Sequence, residues 1–153
     1  PEYSNLVVLR TFSKWAGLAA LRLGYGIMDP AVAERMMVIK PPYNITSATE
    51  VALLATLEDK NLLLSNVQTI VEERDRLIEK LYDINGLSPL PSHANFILCR
   101  IQNGNAEEVY QELAKRGIFV RYYNTPVLQD YIRISVGLPN HNKAIVSALE
   151  AIL

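Results

Sequence analysis

The apolar residues of the first half of the chain predict two strands followed by helices. A continuous apolar run at residues 6–9 predicts a strand covered on both faces of a parallel sheet, and residues 24–28 predict a second strand. Three helices follow, at 31–39, 46–57 and 62–82. The last helix carries a long apolar stripe at helical spacing, which predicts that one face is buried.

Beyond Asn85-Gly86, which ends the long helix, the order of elements changes. The predicted elements are a strand at 95–101, a helix at 106–116 that Gly117 caps, strands at 118–122 and 131–136, and a helix at 142–153. This order is typical of a compact α+β unit. We therefore predict an α/β protein with a boundary near Thr69, which separates residues 1–68 from residues 69–153.

Positive and negative side chains nearly balance, with 15 Lys and Arg against 16 Asp and Glu and a net charge of -1. No overall field would therefore attract the chain to nucleic acid or to an anionic membrane. No apolar stretch reaches the ~18 residues that span a bilayer. The mixed charges at 72–76 are interpreted as the solvent-exposed face of the long helix. The expected partners are small molecules.

Cysteine and histidine are too sparse for a disulfide or a metal site. Cys99 is the single cysteine, which excludes an internal disulfide and fits a reducing, cytoplasmic compartment. We interpret it as a core residue. His93 and His141 lie in polar segments, and neither is at metal-ligand spacing from a second ligand, so no metal is expected.

Residues 11–25 contain the side chains that indicate most about function. Lys14 follows the first predicted strand, where open α/β sheets tend to bind ligands, and a nucleophilic lysine needs a shielded site that lowers its pKa. Ser13 beside it and Arg22 eight residues later offer a hydroxyl and a guanidinium, which suit a phosphate. The alternative is a pair of surface charges. Small residues let the backbone pass close to a bound group; they are Gly17, Ala19, Ala20 and Gly24.

This stretch resembles the lysine signature of the fold-type I aminotransferases, which use pyridoxal 5'-phosphate (PLP). The shared features are a hydroxyl residue, the lysine, a Gly-Leu pair, and an arginine followed by an apolar residue and glycine. The resemblance implies that Lys14 binds PLP covalently and later moves a proton between the substrate and the cofactor. It also implies that Thr11, Ser13 and Arg22 hold the cofactor phosphate.

The rest of the chain resembles the histidinol-phosphate aminotransferase family through segments 42–44, 95–98, 117–121 and 131–137. Trp15 departs from the commonest form of that family, in which a small residue follows the lysine. The resemblance implies the C-terminal part of the PLP-dependent transferase fold. Residues 1–68 would then end the large α/β PLP-binding domain, and residues 69–153 would form the small α+β domain.

The implied activity is transamination of L-histidinol phosphate with 2-oxoglutarate, a step of histidine biosynthesis. An aromatic amino-acid aminotransferase and a threonine-phosphate decarboxylase share the lysine signature and are alternatives. A non-catalytic α+β interaction domain is an alternative of a different class. In the family, the acid that pairs with the PLP ring lies upstream of the segment that begins here at Pro1, so this segment alone is expected to be inactive. The resemblance also implies a homodimer.

Arg133 lies on a predicted strand between apolar neighbours, where an unpaired guanidinium costs free energy. An anion is therefore expected to meet it. The resemblance implies that Arg133 binds the substrate carboxylate as a bidentate pair, which orients the amino acid. A structural salt bridge with Asp130 or Glu112 is the alternative.

Four further residues complete the predicted substrate site. By the same resemblance, Arg121 and Arg100 serve the phosphate end of the substrate; as strand-end charges in water they would serve no ligand. Tyr43 is a candidate to hydrogen-bond cofactor or substrate, or else packs beside the paired prolines. Asn95 is a substrate-binding candidate or a cap at the start of a strand.

Overall fold

A computed structural model describes residues 3–153; Pro1 and Glu2, which begin the first predicted domain, lie outside the described residues. The chain divides into two compact units, Pro1–Val67 and Gln68–Leu153. Each unit has its own cluster of buried apolar side chains.

Strands and helices are both present in each unit. In chain order the elements are β1 (Val8–Thr11), a 3-10 helix (Ala19–Leu21), β2 (Gly24–Ile27), α1 (Pro30–Ile39), α2 (Ser47–Glu58), α3 (Lys60–Tyr82), β3 (Leu87–Pro89), β4 (Phe96–Ile101), α4 (Ala106–Lys115), β5 (Arg121–Tyr122), β6 (Tyr131–Ser135) and α5 (Pro139–Glu150).

Strands β1 and β2 pair antiparallel, with Thr11 opposite Gly24. Position 24 requires glycine, because a Cβ there would lie 2.6 Å from the Arg10 carbonyl oxygen. The prediction of a covered parallel strand at 6–9 is wrong for the described residues. The strand begins at Val8, its partner runs antiparallel, and most of its side chains are exposed. Apolar spacing encodes neither the partner of a strand nor its direction.

A small apolar cluster anchors the turn that follows β1. Its buried members are Phe12, Ala16 and Leu23, and the half-buried side chains against them are Trp15, Leu18, Leu53 and Leu63. The Phe12 ring centroid is 5.4 Å from that of Trp15 and 5.6 Å from that of Tyr25. The cluster therefore ties the turn to α2 and α3.

The second unit is built on an antiparallel sheet in the strand order β3-β4-β6-β5. One face packs on α3, α4 and α5, and the buried side chains that the two central strands contribute are Ile97, Cys99, Ile101, Ile132 and Ile134. Because side chains alternate along a strand, the residues between these positions point to the opposite face. That face carries Phe96 and Arg133.

Several elements differ from the sequence prediction. Strand β3 has no predicted counterpart, because three residues ending in Pro89 give no periodic signal. Strand β5 covers Arg121–Tyr122 rather than 118–122, and α5 begins at Pro139 rather than 142. Proline is favourable in a first helical turn, where its missing N–H has no intrahelical partner. The predicted cap of α4 is confirmed, since Gly117 has a φ of 77°.

Truncating the core of the second unit is expected to destabilise the protein strongly. Leu113 on α4 is fully buried. We expect Leu113→Ala to lower the free energy of unfolding by about 2–5 kcal/mol, because the lost burial adds to a cavity. Urea denaturation measures this loss. Leu138→Ala, at a side chain that is 63% exposed, is the control, and an equal loss in both variants would contradict this view of the core.

Candidate active site

Lys14 lies in the turn after β1, and its neighbours decide where it points. Phe12 and Ala16, two residues to either side, are buried, whereas Lys14 is exposed. The Gly17 amide donates to the Lys14 carbonyl over 3.2 Å, and Gly17 has a φ of 69°, which favours glycine. The buried neighbours and this hydrogen bond therefore fix the backbone at Lys14, while its side chain is exposed. The expected shielding of its amine is not provided by residues 3–153.

Two hydroxyl groups stand beside this lysine. The Oγ1 atom of Thr11 lies 2.7 Å from the Oγ atom of Ser13 and accepts a hydrogen bond from the Ser13 amide over 3.1 Å. The same Oγ1 lies 3.3 Å from the Leu23 carbonyl oxygen. When Thr11 donates to Ser13, the Ser13 hydroxyl keeps its own hydrogen for an anion.

Arg22 is brought to the same end of the β1–β2 pair. The Phe12 amide donates to the Leu23 carbonyl over 3.1 Å, so the chain closes on itself beside Arg22. Arg22 has a φ of 53°, and its Nη1 donates to the Ala19 carbonyl over 2.8 Å. Its guanidinium is exposed. Thr11, Ser13, Lys14 and Arg22 are thus local neighbours, as the sequence predicts.

Arg133 occupies the centre of the open face of the second unit's sheet, on β6. Its Nε atom is buried and has no hydrogen-bond partner among the described residues. The guanidinium carbon lies 5.0 Å from the Phe96 ring centroid and 5.8 Å from that of Tyr123. Aromatic faces hold the guanidinium plane without satisfying its donors.

The proposed salt-bridge partners of Arg133 are occupied elsewhere. Asp130 lies 3.7 Å from Arg100, and Glu112 pairs with Lys115. The structural alternative of a salt bridge is therefore wrong for both carboxylates. The buried Nε of Arg133 is thus paired with neither of these carboxylates.

Arg121 lies directly across the sheet from Arg133. The two are paired residues of β5 and β6, which places two like charges on one face. Like charges in this position repel, unless an anion lies between them. The Tyr123 ring contacts both, with the Arg121 guanidinium 5.3 Å from its centroid. Sequence reasoning missed Phe96 and Tyr123 as part of this site, although Phe96 lies two residues from Leu98, which pairs with Arg133.

The other predicted substrate residues are less closely gathered. Arg100 lies two pairs further along β4 than Leu98, opposite Tyr131, and its exposed side chain faces Asp130. The Asn95 carbonyl accepts from the Val136 amide over 3.0 Å, which explains Asn95 as a strand-start position. Tyr43 belongs to the first unit and is 96% exposed with a φ of 57°. The expected packing of Tyr43 against the prolines is therefore wrong among the described residues.

Charged residues of α3 do not all face solvent. The interpretation of 72–76 as an exposed face is wrong for Glu73 and Arg74, which are buried. Hydrogen bonds from Arg76 and Asn142 hold the pKa of the Glu73 carboxyl below its ordinary value. The carboxylate is therefore kept ionised in a buried place, where only hydrogen-bonded partners make a charge tolerable.

Cys99 has no part in this chemistry. Burial raises the pKa of its thiol to about 12, so the thiol is protonated at neutral pH. Its predicted place in the core is confirmed. In the part of the chain that the structure describes, no three side chains of the metal-binding types come together, and no helix has the length and apolar character to cross a bilayer.

Comparison with known proteins places this chemistry in a family. The family model for aminotransferase class I and II matches residues 1–150. The chain belongs to the class I and II aminotransferases. A histidinol-phosphate aminotransferase of Roseiflexus castenholzii is 49% identical over 151 residues, which cover 97% of this chain and 41% of that protein. This aminotransferase chain thus spans well under half the length of that curated relative.

Solved structures of the same family share the fold. The histidinol-phosphate aminotransferase from Clostridium acetobutylicum matches with a TM-score of 0.85 and 29% identity, over 99% of this chain and 46% of that one. The enzyme from Sinorhizobium meliloti, in complex with pyridoxal-5'-phosphate, matches with a TM-score of 0.76 and 29% identity, over 97% and 41%. The fold class and the family resemblance drawn from the sequence are confirmed.

Proposed function

We propose that the full-length protein is a PLP-dependent aminotransferase that transfers the amino group of L-histidinol phosphate to 2-oxoglutarate. The observation that carries this proposal is the buried, unpartnered Nε of Arg133 directly across the sheet from Arg121. Two guanidinium groups on one open face suit a substrate with a carboxylate or phosphate. Relatives and neighbours that are named histidinol-phosphate aminotransferase support the assignment.

The residues around Lys14 fit PLP by their chemistry. A phosphate needs several donors that converge, and Thr11, Ser13 and Arg22 supply two hydroxyls and a guanidinium at one end of the β1–β2 pair. The Arg22 bond to the Ala19 carbonyl uses Nη1, so the guanidinium keeps other donors for that phosphate. Lys14, exposed on its turn, supplies the amine that bonds the cofactor. When bound, PLP supplies the electron sink for cleavage at the amino carbon.

Each side chain then has one task. Lys14 would take the proton from the amino carbon of the substrate and deliver it to the cofactor, which requires an amine that is deprotonated when the substrate is bound. Arg133 fixes the substrate by its anionic end, and its aromatic neighbours stop the guanidinium from rotating away. Arg121 adds the second positive charge. Histidinol phosphate carries a phosphate ester where an amino acid carries its carboxylate, so one arginine pair can serve both substrates in turn.

Arg100, Asn95 and Tyr43 are further proposed substrate-binding residues. We further propose that the first unit ends the large PLP-binding domain and that the second is the small domain. Several apolar side chains of the first unit are exposed, which supports the proposal that a larger body, the rest of the large domain, covers them; they are Leu9, Met37, Val38 and Ile39. That body would supply the acid for the PLP ring, so the 153-residue chain alone is expected not to transaminate. A homodimer in the cytoplasm is part of this proposal.

The test is amino transfer by the full-length protein with 2-oxoglutarate and each candidate donor. Glutamate formation is expected from L-histidinol phosphate with a kcat/KM about 10- to 100-fold above that of tyrosine or phenylalanine, because charged hydrogen bonds contribute about 1.5–3 kcal/mol. A preference for the aromatic amino acids would favour an aromatic aminotransferase. Release of CO2 from threonine phosphate would favour the decarboxylase, and no PLP bonding at all would favour a non-catalytic domain.

A further inference from the structure

A buried asparagine ties the end of β6 to helix α5. Asn142, in the first turns of α5, is 7% exposed. Its Oδ1 accepts from the Gly137 amide over 3.0 Å, and its Nδ2 donates to the Gly137 carbonyl over 3.2 Å. The residue before α5, Leu138, makes no side-chain capping bond. Asn142 therefore joins α5 to the segment that precedes it, by reaching back to both backbone groups of Gly137.

The same amide also reaches α3. Its Nδ2 donates to the Oε2 atom of Glu73 over 3.0 Å, and the other Glu73 oxygen accepts from Arg76 over 2.6 Å. Glu73, Asn142 and Gly137 are called the clasp below. Only one amide orientation satisfies it, because Nδ2 must face two acceptors while Oδ1 faces a donor. Such a network defines one position for the chain that it holds.

The clasp holds β6 where the sheet itself holds it least. On one side β6 pairs with β4 as far as Ser135. On the other side β5 pairs only with Ile132 and Arg133, and beyond them a groove of about 490 Å³ opens beside residues 134–137. Past Arg133, Ile134 packs in the core against the helices. The clasp adds a polar restraint at the end of the strand, because it links Gly137 to α5 and, through Asn142, to α3.

The close approach of Gly137 to α5 leaves this part of the chain little room to move. A Cβ at Gly137 would lie 2.9 Å from the Cβ of His141, so the chain passes against α5 with no room for a side chain. Gly137 is four residues after Arg133, and the intervening Val136 amide is bound to the Asn95 carbonyl. A shift of the clasp would therefore move the strand that carries the guanidinium.

We infer that Glu73 and Asn142 are positioning residues, which set the Arg133 guanidinium for the anionic end of the substrate. The inference rests on the proposed function, because it assumes that Arg133 binds that anion. It assigns a task to a buried carboxylate that the chemistry of the site does not otherwise use. Neither residue touches the substrate, so both act on binding and orientation rather than on proton transfer.

The experiment uses the full-length protein with PLP and reverses the direction of the hydrogen bond between residues 73 and 142. Asn142→Asp turns a carboxylate toward Glu73 and removes the donor. Adding Glu73→Gln restores the hydrogen bond between positions 73 and 142 in the opposite direction, but not the bond to the Gly137 carbonyl. The readouts are the dissociation constant of maleate, a dicarboxylate without an amino group, the KM and kcat for the amino donor, and the melting temperature. Asn140→Asp, at an exposed position of the same helix turn, is the matched control.

Asn142→Asp is expected to raise the maleate dissociation constant and the donor KM about tenfold, because the buried amide and carboxylate belong to one coupled hydrogen-bond network. Bound PLP and kcat should change less than about threefold, and the double variant should recover part of the affinity. If Asn142→Asp does not fold, Glu73→Gln alone is expected to raise both constants severalfold, since Asn142 then loses a charged acceptor.

Two outcomes would overturn the inference while the proposed function stands. One is an active wild type whose variants lose melting temperature but keep the maleate affinity. The other is a double variant that binds maleate as weakly as Asn142→Asp. A wild type that neither binds maleate nor transfers amino groups would instead overturn the proposed function, and the inference with it.

Discussion

Replacing Lys14 by alanine is expected to abolish amino transfer by the full-length protein. The loss of the group that moves the proton should lower kcat by about 10²- to 10⁴-fold or more, while the fold is retained because the side chain is exposed. Borohydride reduction of the wild-type protein with PLP should leave a stable adduct, and peptide mapping should place it on Lys14.

Lys115→Ala is the control for this experiment. Lys115 is also an exposed lysine, on α4, and pairs with Glu112. Its replacement should change neither the adduct nor kcat, because an exposed ion pair contributes little. An adduct that maps to another lysine, or a Lys14→Ala protein with ordinary activity, would contradict the assignment of Lys14.

Replacing Arg133 by alanine is the second change with a large expected effect. Truncating one partner of a buried charge pair costs about 2–5 kcal/mol, so kcat/KM should fall about 10²- to 10³-fold, chiefly through KM. Arg133→Lys should recover only part of this, because an ammonium keeps the charge but neither the bidentate geometry nor the stacking on Phe96. Steady-state kinetics with the amino donor and with 2-oxoglutarate measure both effects.

Arg116→Ala provides the matched control, since Arg116 is an exposed arginine at the end of α4. It should leave KM unchanged. If Arg133→Ala altered only the melting temperature, or if Arg133→Lys were as active as the wild type, Arg133 would be a structural residue rather than the one that binds the anion.

Much of the fold follows from local pattern. The helices α1 to α4 lie close to their predicted ranges, because one-sided apolar stripes and end caps are properties of neighbouring residues. The strands predicted at 95–101 and 131–136 lie close to β4 and β6, and Cys99 lies in the core as predicted. The hydroxyls, Lys14 and Arg22 are also local, since one turn and one strand pair bring them together.

The surroundings of two charged residues, Glu73 and Arg133, did not follow from local pattern. The sequence predicts that Glu73 is one of five solvent-facing charges. In the structure it is buried against Asn142, which is 69 residues away. The sequence predicts that Arg133 binds an anion or pairs with a nearby carboxylate. In the structure, Asp130 lies beside Arg100 instead. Spacing cannot choose between such partners, because ion pairs are decided by distances in space.

By itself, the sequence determined the family, the lysine-centred motif and the apolar pattern of both units. Each of these depends on residues that lie close together in the chain. Only the tertiary structure decided that β1 pairs antiparallel, that Arg121 faces Arg133, and that two rings flank a guanidinium with a buried, unpartnered donor. Those features depend on strand pairing, which joins residues far apart in the chain and has no signal in the spacing of any one segment.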